Sequence, residues 1–191
     1  MLLLLPSLAF ALPGSGVQWT VLSNGDPYIE CAVDSAGEPW CRSTGLVKLP
    51  IDKVAATLED MPKHQHLFEN IARIDVLAPD TMHIVLDYPG FLSDRDYVAT
   101  YTRSVSGDTR IYSWKPAATQ PPPEDGIIRL PKMAGEWRLT PEGAGTRVTY
   151  LWHAEIAGSF PDMMLTTARK IAGQQALKDI RKASERAAAG E

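Results

Sequence analysis

Two cysteines, no excess of positive charge and no apolar run of membrane-spanning length mark this 191-residue chain by what it lacks. Nineteen Lys and Arg against 23 Asp and Glu leave a net charge of -4, so the basic footprint of a nucleic-acid partner is missing. The longest apolar run, residues 2–12, falls well short of the roughly 20 residues that cross a bilayer as a helix. Nucleophile elbow, phosphate loop and dinucleotide fingerprint are all absent, which removes the motif basis for nucleophilic hydrolysis and nucleotide chemistry. The four histidines, His64, His66, His83 and His153, have no Asp, Glu or Cys at ligand spacing, so neither a metal nor any other cofactor is expected. His64 and His66, following Pro62-Lys63, read as an exposed turn.

What is present is enough for one domain with a full core: 45% hydrophobic residues and 22% charged ones. Residues 1–11 are read as a signal peptide, because a short apolar run ends in the small-x-small pattern Ala9-Phe10-Ala11. No Lys or Arg precedes that run. The mature chain, residues 12–191, is then expected in the periplasm or outside the cell, and in the cytoplasm if the segment is not a signal. Cys31 and Cys41 flank the turn-like Ser35-Ala36-Gly37-Glu38, so two extended arms would set them opposite each other. A disulfide is expected there, with a pair of buried thiols as the alternative.

The middle of the chain reads as sheet. A short helix over 52–61 follows Pro50 and stops at Pro62. Short alternating runs at 71–77, 82–88, 95–104, 110–114, 127–133, 136–140 and 147–155 then follow, separated by turn residues, and predict an antiparallel meander. Residues 115–126, rich in proline, are predicted to be an extended surface segment, either a lid or a spacer. In the last run Val148, Tyr150 and Trp152 share one face.

Residues 160–188 predict one long amphipathic helix. Pro161 suits its first turn and Asp162 its positive dipole end. Met164, Leu165, Ala168, Ile171 and Ala172 form one stripe, and Leu177, Ile180, Ala183 and Ala187 continue it on a rotated face. Gly173 sits where the stripe drifts and predicts a bend. Small residues at 168, 172, 173 and 176 leave room for a ligand or permit close packing. The cations Arg169, Lys170, Lys178, Arg181, Lys182 and Arg186 read as a solvated face. An antiparallel sheet with one apolar face needs a cover, and this helix is the only element long enough.

Tyr88-Pro89-Gly90-Phe91-Leu92-Ser93-Asp94-Arg95-Asp96-Tyr97-Val98 resembles the signature stretch of START domains, the helix-grip lipid-binding modules. It is joined in order by Gly135-Glu136-Trp137-Arg138-Leu139, by Gly145-Thr146-Arg147-Val148-Thr149-Tyr150 and by Gly158-Ser159-Phe160-Pro161. The resemblance implies an α+β helix-grip fold, in which a curved antiparallel sheet grips a long C-terminal helix around a hydrophobic tunnel. Two departures stand out: Phe91 replaces the motif's second proline, and Glu155-Ile156-Ala157-Gly158 replaces Asp-Pro-Gly-Gly. Some lipid-carrying relatives place an Arg where this chain has Tyr101, so a charged headgroup contact is expected to be lost.

The expected function is therefore binding of a lipid or other hydrophobic small molecule by a monomer, with its transfer and a transient membrane contact as options and no nucleic acid. The expected ligand contacts are Arg95, Tyr97, Tyr101 and Trp137, then Tyr150 and Trp152, and on the helix Met163, Met164, Ala168, Ile171 and Ala172. Arg95 is also expected to pair with a carboxylate such as Asp87 or Glu136. One rival is a catalytic cousin, a polyketide cyclase or aromatase using Arg95, Tyr97 and Tyr101. Another is a structural partner-binding domain with a filled core and no cavity.

Overall fold

A computed structural model describes residues 12–60, 63–90, 92–157 and 161–190, and the side chain of Asp162 lies outside that description. The signal-like start, Pro62, Phe91 and the Gly158-Ser159-Phe160 step therefore lie outside the described residues. Three strands come first: β1 (Thr20–Asn24), β2 (Tyr28–Val33) and β3 (Pro39–Val47). Two helices follow, α1 (Ile51–Glu59) and α2 (His64–Leu67). Then come β4 (Ile71–Ala78), β5 (Thr81–Leu86), β6 (Arg95–Ser106), β7 (Thr109–Pro116), β8 (Ile128–Arg129), β9 (Gly135–Glu142) and β10 (Gly145–His153). The chain closes with α3 (Asp162–Ala189).

The sheet order is β1-β2-β3-β10-β9-β7-β6-β5-β4, antiparallel along that path. Two meanders are thus joined by β10, which pairs β3 across the whole middle of the chain. Alternation predicts strands one at a time and carries no record of a partner a hundred residues away. The predicted strand at 127–133 shrinks to Ile128–Arg129, paired parallel to β6. Pro131 has no N–H to offer a ladder, which limits it.

The β2–β3 turn is built by Asp34, whose Oδ1 accepts from the Ala36 and Glu38 amides at 2.8 and 2.9 Å, with Gly37 at φ 82°. That register sets Cys31 directly opposite Cys41, and the two form a disulfide.

Helix α3 is continuous, without a break at Gly173. Gly173 is instead a point of close approach: a Cβ there would meet Trp152 at 3.0 Å and Ile29 and Ser43 at 3.2 Å. Beyond it Leu177, Ile180 and Ala183 are buried against α1 and β3, and Thr57 and Ser184 share a hydrogen bond of 3.2 Å. Before it the helix is mostly exposed, with Met163, Met164 and Ile171 among its exposed side chains. Pro161 stands in extended backbone just ahead of the helix rather than inside its first turn, and Gly190, at φ 82°, caps the other end.

Candidate functional site

The concave side of the sheet carries a row of aromatic side chains placed by register. Tyr101 faces Trp114 across β6–β7; Tyr112 faces Trp137 across β7–β9, and Trp137 faces Tyr150 across β9–β10. Their ring centroids lie 6.2 Å apart for Tyr101 and Trp114, 4.2 Å for Trp137 and Tyr150, and 4.8 Å for Tyr150 and Trp152. Pairs of this kind stabilise a sheet and give it a smooth apolar floor.

Above that floor lies a cavity of about 400 Å³, roofed by the first half of α3. The expected residues Tyr97, Tyr101, Trp137, Tyr150 and Trp152 line its floor, and Met164, Ala168, Ile171 and Ala172 line its helical wall. The small residues divide their work: Ala168, Ala172 and Ala176 face the cavity, whereas Gly173 lets the helix touch Trp152. Two named residues are elsewhere. Met163 is 89% exposed and lies off the lining, one residue out of phase with Met164.

Arg95 is the second, buried behind the wall at 1% exposure. Among the described residues it meets no carboxylate. Its guanidinium donates to the carbonyl oxygens of Ser93 and, at 3.1 Å, Ala157, and lies 4.4 Å from the centre of the Tyr88 ring, while Nε is left without a partner. The expected partners are not available to it: Glu136 pairs with Arg138, and Asp87 points to solvent. Tyr88 in turn lines the cavity, so Arg95 reaches it only through that ring.

Sequence reasoning missed several contributors. His64 is not an exposed turn: it begins α2, is 5% exposed, and its Nε2–H donates to the Thr57 carbonyl at 3.0 Å. Burial holds its pKa down to about 4, so the ring is neutral at the cavity wall. Tyr112 and Trp114, two apart on β7, were visible as an alternating pair; Trp114 Nε1 is buried without a partner. Arg169 and Arg181 leave the expected solvated face. Arg181 donates to the Leu46 carbonyl at 3.1 Å and pairs with Asp26 at 2.5 Å, and Arg169 lines the cavity.

The phenols of Tyr97, Tyr101 and Tyr150 are all pushed above their ordinary pKa by burial, and Tyr97 and Tyr101 are hydrogen-bonded to each other. At neutral pH they are protonated donors, not bases.

Folding also assembles two histidine-carboxylate clusters that spacing along the chain had hidden: Glu38, His153 and Glu155, and Asp75, His83 and Glu124. In each a protein cation is already seated. Lys132 Nζ is 2.7 Å from Glu38, and Arg73 pairs with both Asp75, at 2.9 Å, and Glu124. The proline-rich segment does not contribute to the cavity, which overturns the lid reading. Arg129 ties it to the opposite face of the sheet, donating to Asp96 at 2.7 and 2.8 Å and to Gln120 and Pro121 at 3.0 and 3.1 Å.

A curved antiparallel sheet, a long helix across it and an apolar cavity between them define the helix-grip class of protein. The START domain family model matches residues 14–189, and the chain belongs to that family. A STAR-related lipid transfer protein fragment from Xanthomonas axonopodis is similar at a TM-score of 0.74 and 21% identity, over 87% of this chain and 98% of that one. Human StAR-related lipid transfer protein 5 gives 0.78 and 14%, over 88% and 86%. The Zhui aromatase/cyclase of Streptomyces sp. R1128 gives 0.51 and 17%, over 77% and 93%. At these identities the likenesses show the fold. An uncharacterized protein of Pseudomonas aeruginosa is 38% identical over 103 residues, 53% of this chain; the match spans about half, 51%, of that relative's length.

Proposed function

We propose that the protein binds one lipid or other apolar molecule between the sheet and the first half of α3, and carries it. The observation that supports this most directly is the aromatic-floored cavity of about 400 Å³, within the size range of small-molecule sites. A domain with a filled core would have no such space. The names of the Xanthomonas and human structures, both lipid transfer proteins, point the same way. Met163, Met164 and Ile171, exposed beside the cavity, suit a transient membrane contact during exchange. The Cys31–Cys41 disulfide favours an oxidising compartment, and among the described residues no helix is long and apolar enough to cross a membrane. The catalytic reading is weaker because the cavity phenols are held protonated and Arg95 stands behind the wall.

Mass spectrometry of organic extracts of the purified protein tests the binding reading. The wild type should release a stoichiometric apolar molecule, and Ala168→Trp, which fills the cavity from the helix, should stay folded and release none. A wild-type protein that is empty, and that takes up no lipid from mixed vesicles, would refute the reading.

A further inference from the structure

The cavity wall holds a cation, Arg169, that no carboxylate among the described residues neutralises. Arg169, on α3, lines the cavity, and its Nε donates to the carbonyl of Ala154 at 3.3 Å. Among the described residues it forms no ion pair. The two carboxylates that share the lining do not serve it: Asp87 is exposed, and Glu155 exerts its pull on Lys132. Burial lowers the Arg169 pKa with no anion acting against that effect. A half-buried guanidinium with spare donors and no counter-charge is costly, and the cost is relieved by a ligand that brings the missing anion.

The segment that Arg169 grips is also held by Arg95, which has no carboxylate partner among the described residues and donates to Ala157 three residues further on. On the floor the Trp114 indole N–H is buried without an acceptor among the described residues. A half-buried guanidinium without an ion pair favours a ligand that brings an anionic oxygen to it.

We infer that the cavity takes an anionic amphiphile, its apolar body on the aromatic floor and its carboxylate or phosphate on Arg169. This rests on the binding reading above and names the ligand class for the same site. The charged contact that Tyr101 cannot make from the sheet is thereby supplied from the helix.

Dodecanoate, dodecyl phosphate and dodecanol share one apolar body and differ in the head, so displacement of a fluorescent apolar dye from the full protein separates the two claims. The wild type should bind at least one of the anionic probes about tenfold more tightly than the alcohol, the scale of one charge-assisted contact. Arg169→Gln should abolish that preference, so that the anionic probes bind this variant no more tightly than dodecanol does, and Arg169→Lys should restore much of it. Preference for dodecanoate or for dodecyl phosphate tells which anionic head is the natural one. Inorganic phosphate alone should not displace the dye, because it lacks the apolar body; displacement by it would overturn the amphiphile assignment. Equal binding of all three probes, or a preference that survives Arg169→Gln, would overturn the role of Arg169 while leaving the apolar cavity standing. Binding of none, with no dye uptake, would overturn both readings together.

Discussion

His64 shows how a single buried ring makes stability depend on pH. Its Nε2–H is committed to the Thr57 carbonyl, and burial lowers its pKa from 6.5 to about 4. The unfolded chain therefore binds a proton more readily than the folded one between those values. Stability is complete above about pH 6.5 and is lost as pH falls toward 4, by about 3 kcal/mol from this group. His64→Gln keeps a donor for Thr57 and removes the titration. Urea unfolding at pH 7 and pH 4 should find the wild type losing about 3 kcal/mol more than the variant. Equal losses would mean that His64 is protonated in the native protein as readily as in the unfolded chain. Nothing in the string His64-Gln65-His66 forecast this burial, because it depends on α1 and α3 closing over α2.

Among the elements, the strands and α3 were legible because a period of two and a period of 3.6 are written into the chain. The order of strands was not, since β3 and β10 share no local signal. The helix's inner face was half legible. Its second half is a plain apolar stripe, whereas in its first half polar and apolar residues share the cavity wall, so Arg169 looked like any surface cation. The proline-rich segment was ambiguous by composition, and its placement is decided by a charge on the other side of the sheet. Asp96, next to the cavity-lining Tyr97, points away from it and is fully buried. Burial pushes its carboxyl up, but Arg129 and His83, the latter at 2.7 Å, outweigh that and hold it below its ordinary pKa. Asp96→Asn should then strand the Arg129 charge and cost about 3–5 kcal/mol. Limited proteolysis of the variant should cut first within residues 117–126, where Arg129 no longer anchors the chain. Uniform destabilisation with no new cleavage there would show that the segment is held by something else.

Taken whole, the molecule is two structures sharing one helix. The second half of α3 is packed against α1 and β3, and the first half stands over a cavity instead of a core. If a ligand completes that core, it contributes to folding by mass action. At a free concentration of about 100 Kd the gain is about 2.7 kcal/mol, which for a chain of this size raises the melting temperature by about 5–10 °C. Protein stripped of bound lipid by reverse-phase extraction and refolded with its disulfide intact should melt that much lower than the same protein reloaded. The gain should also be local. Hydrogen exchange in residues 163–172 should slow on loading, while residues 177–184, whose inner face is already buried against protein, change little. Uniform slowing along α3 would mean that the helix docks as one unit, and no slowing in its first half would remove the ligand from beneath it.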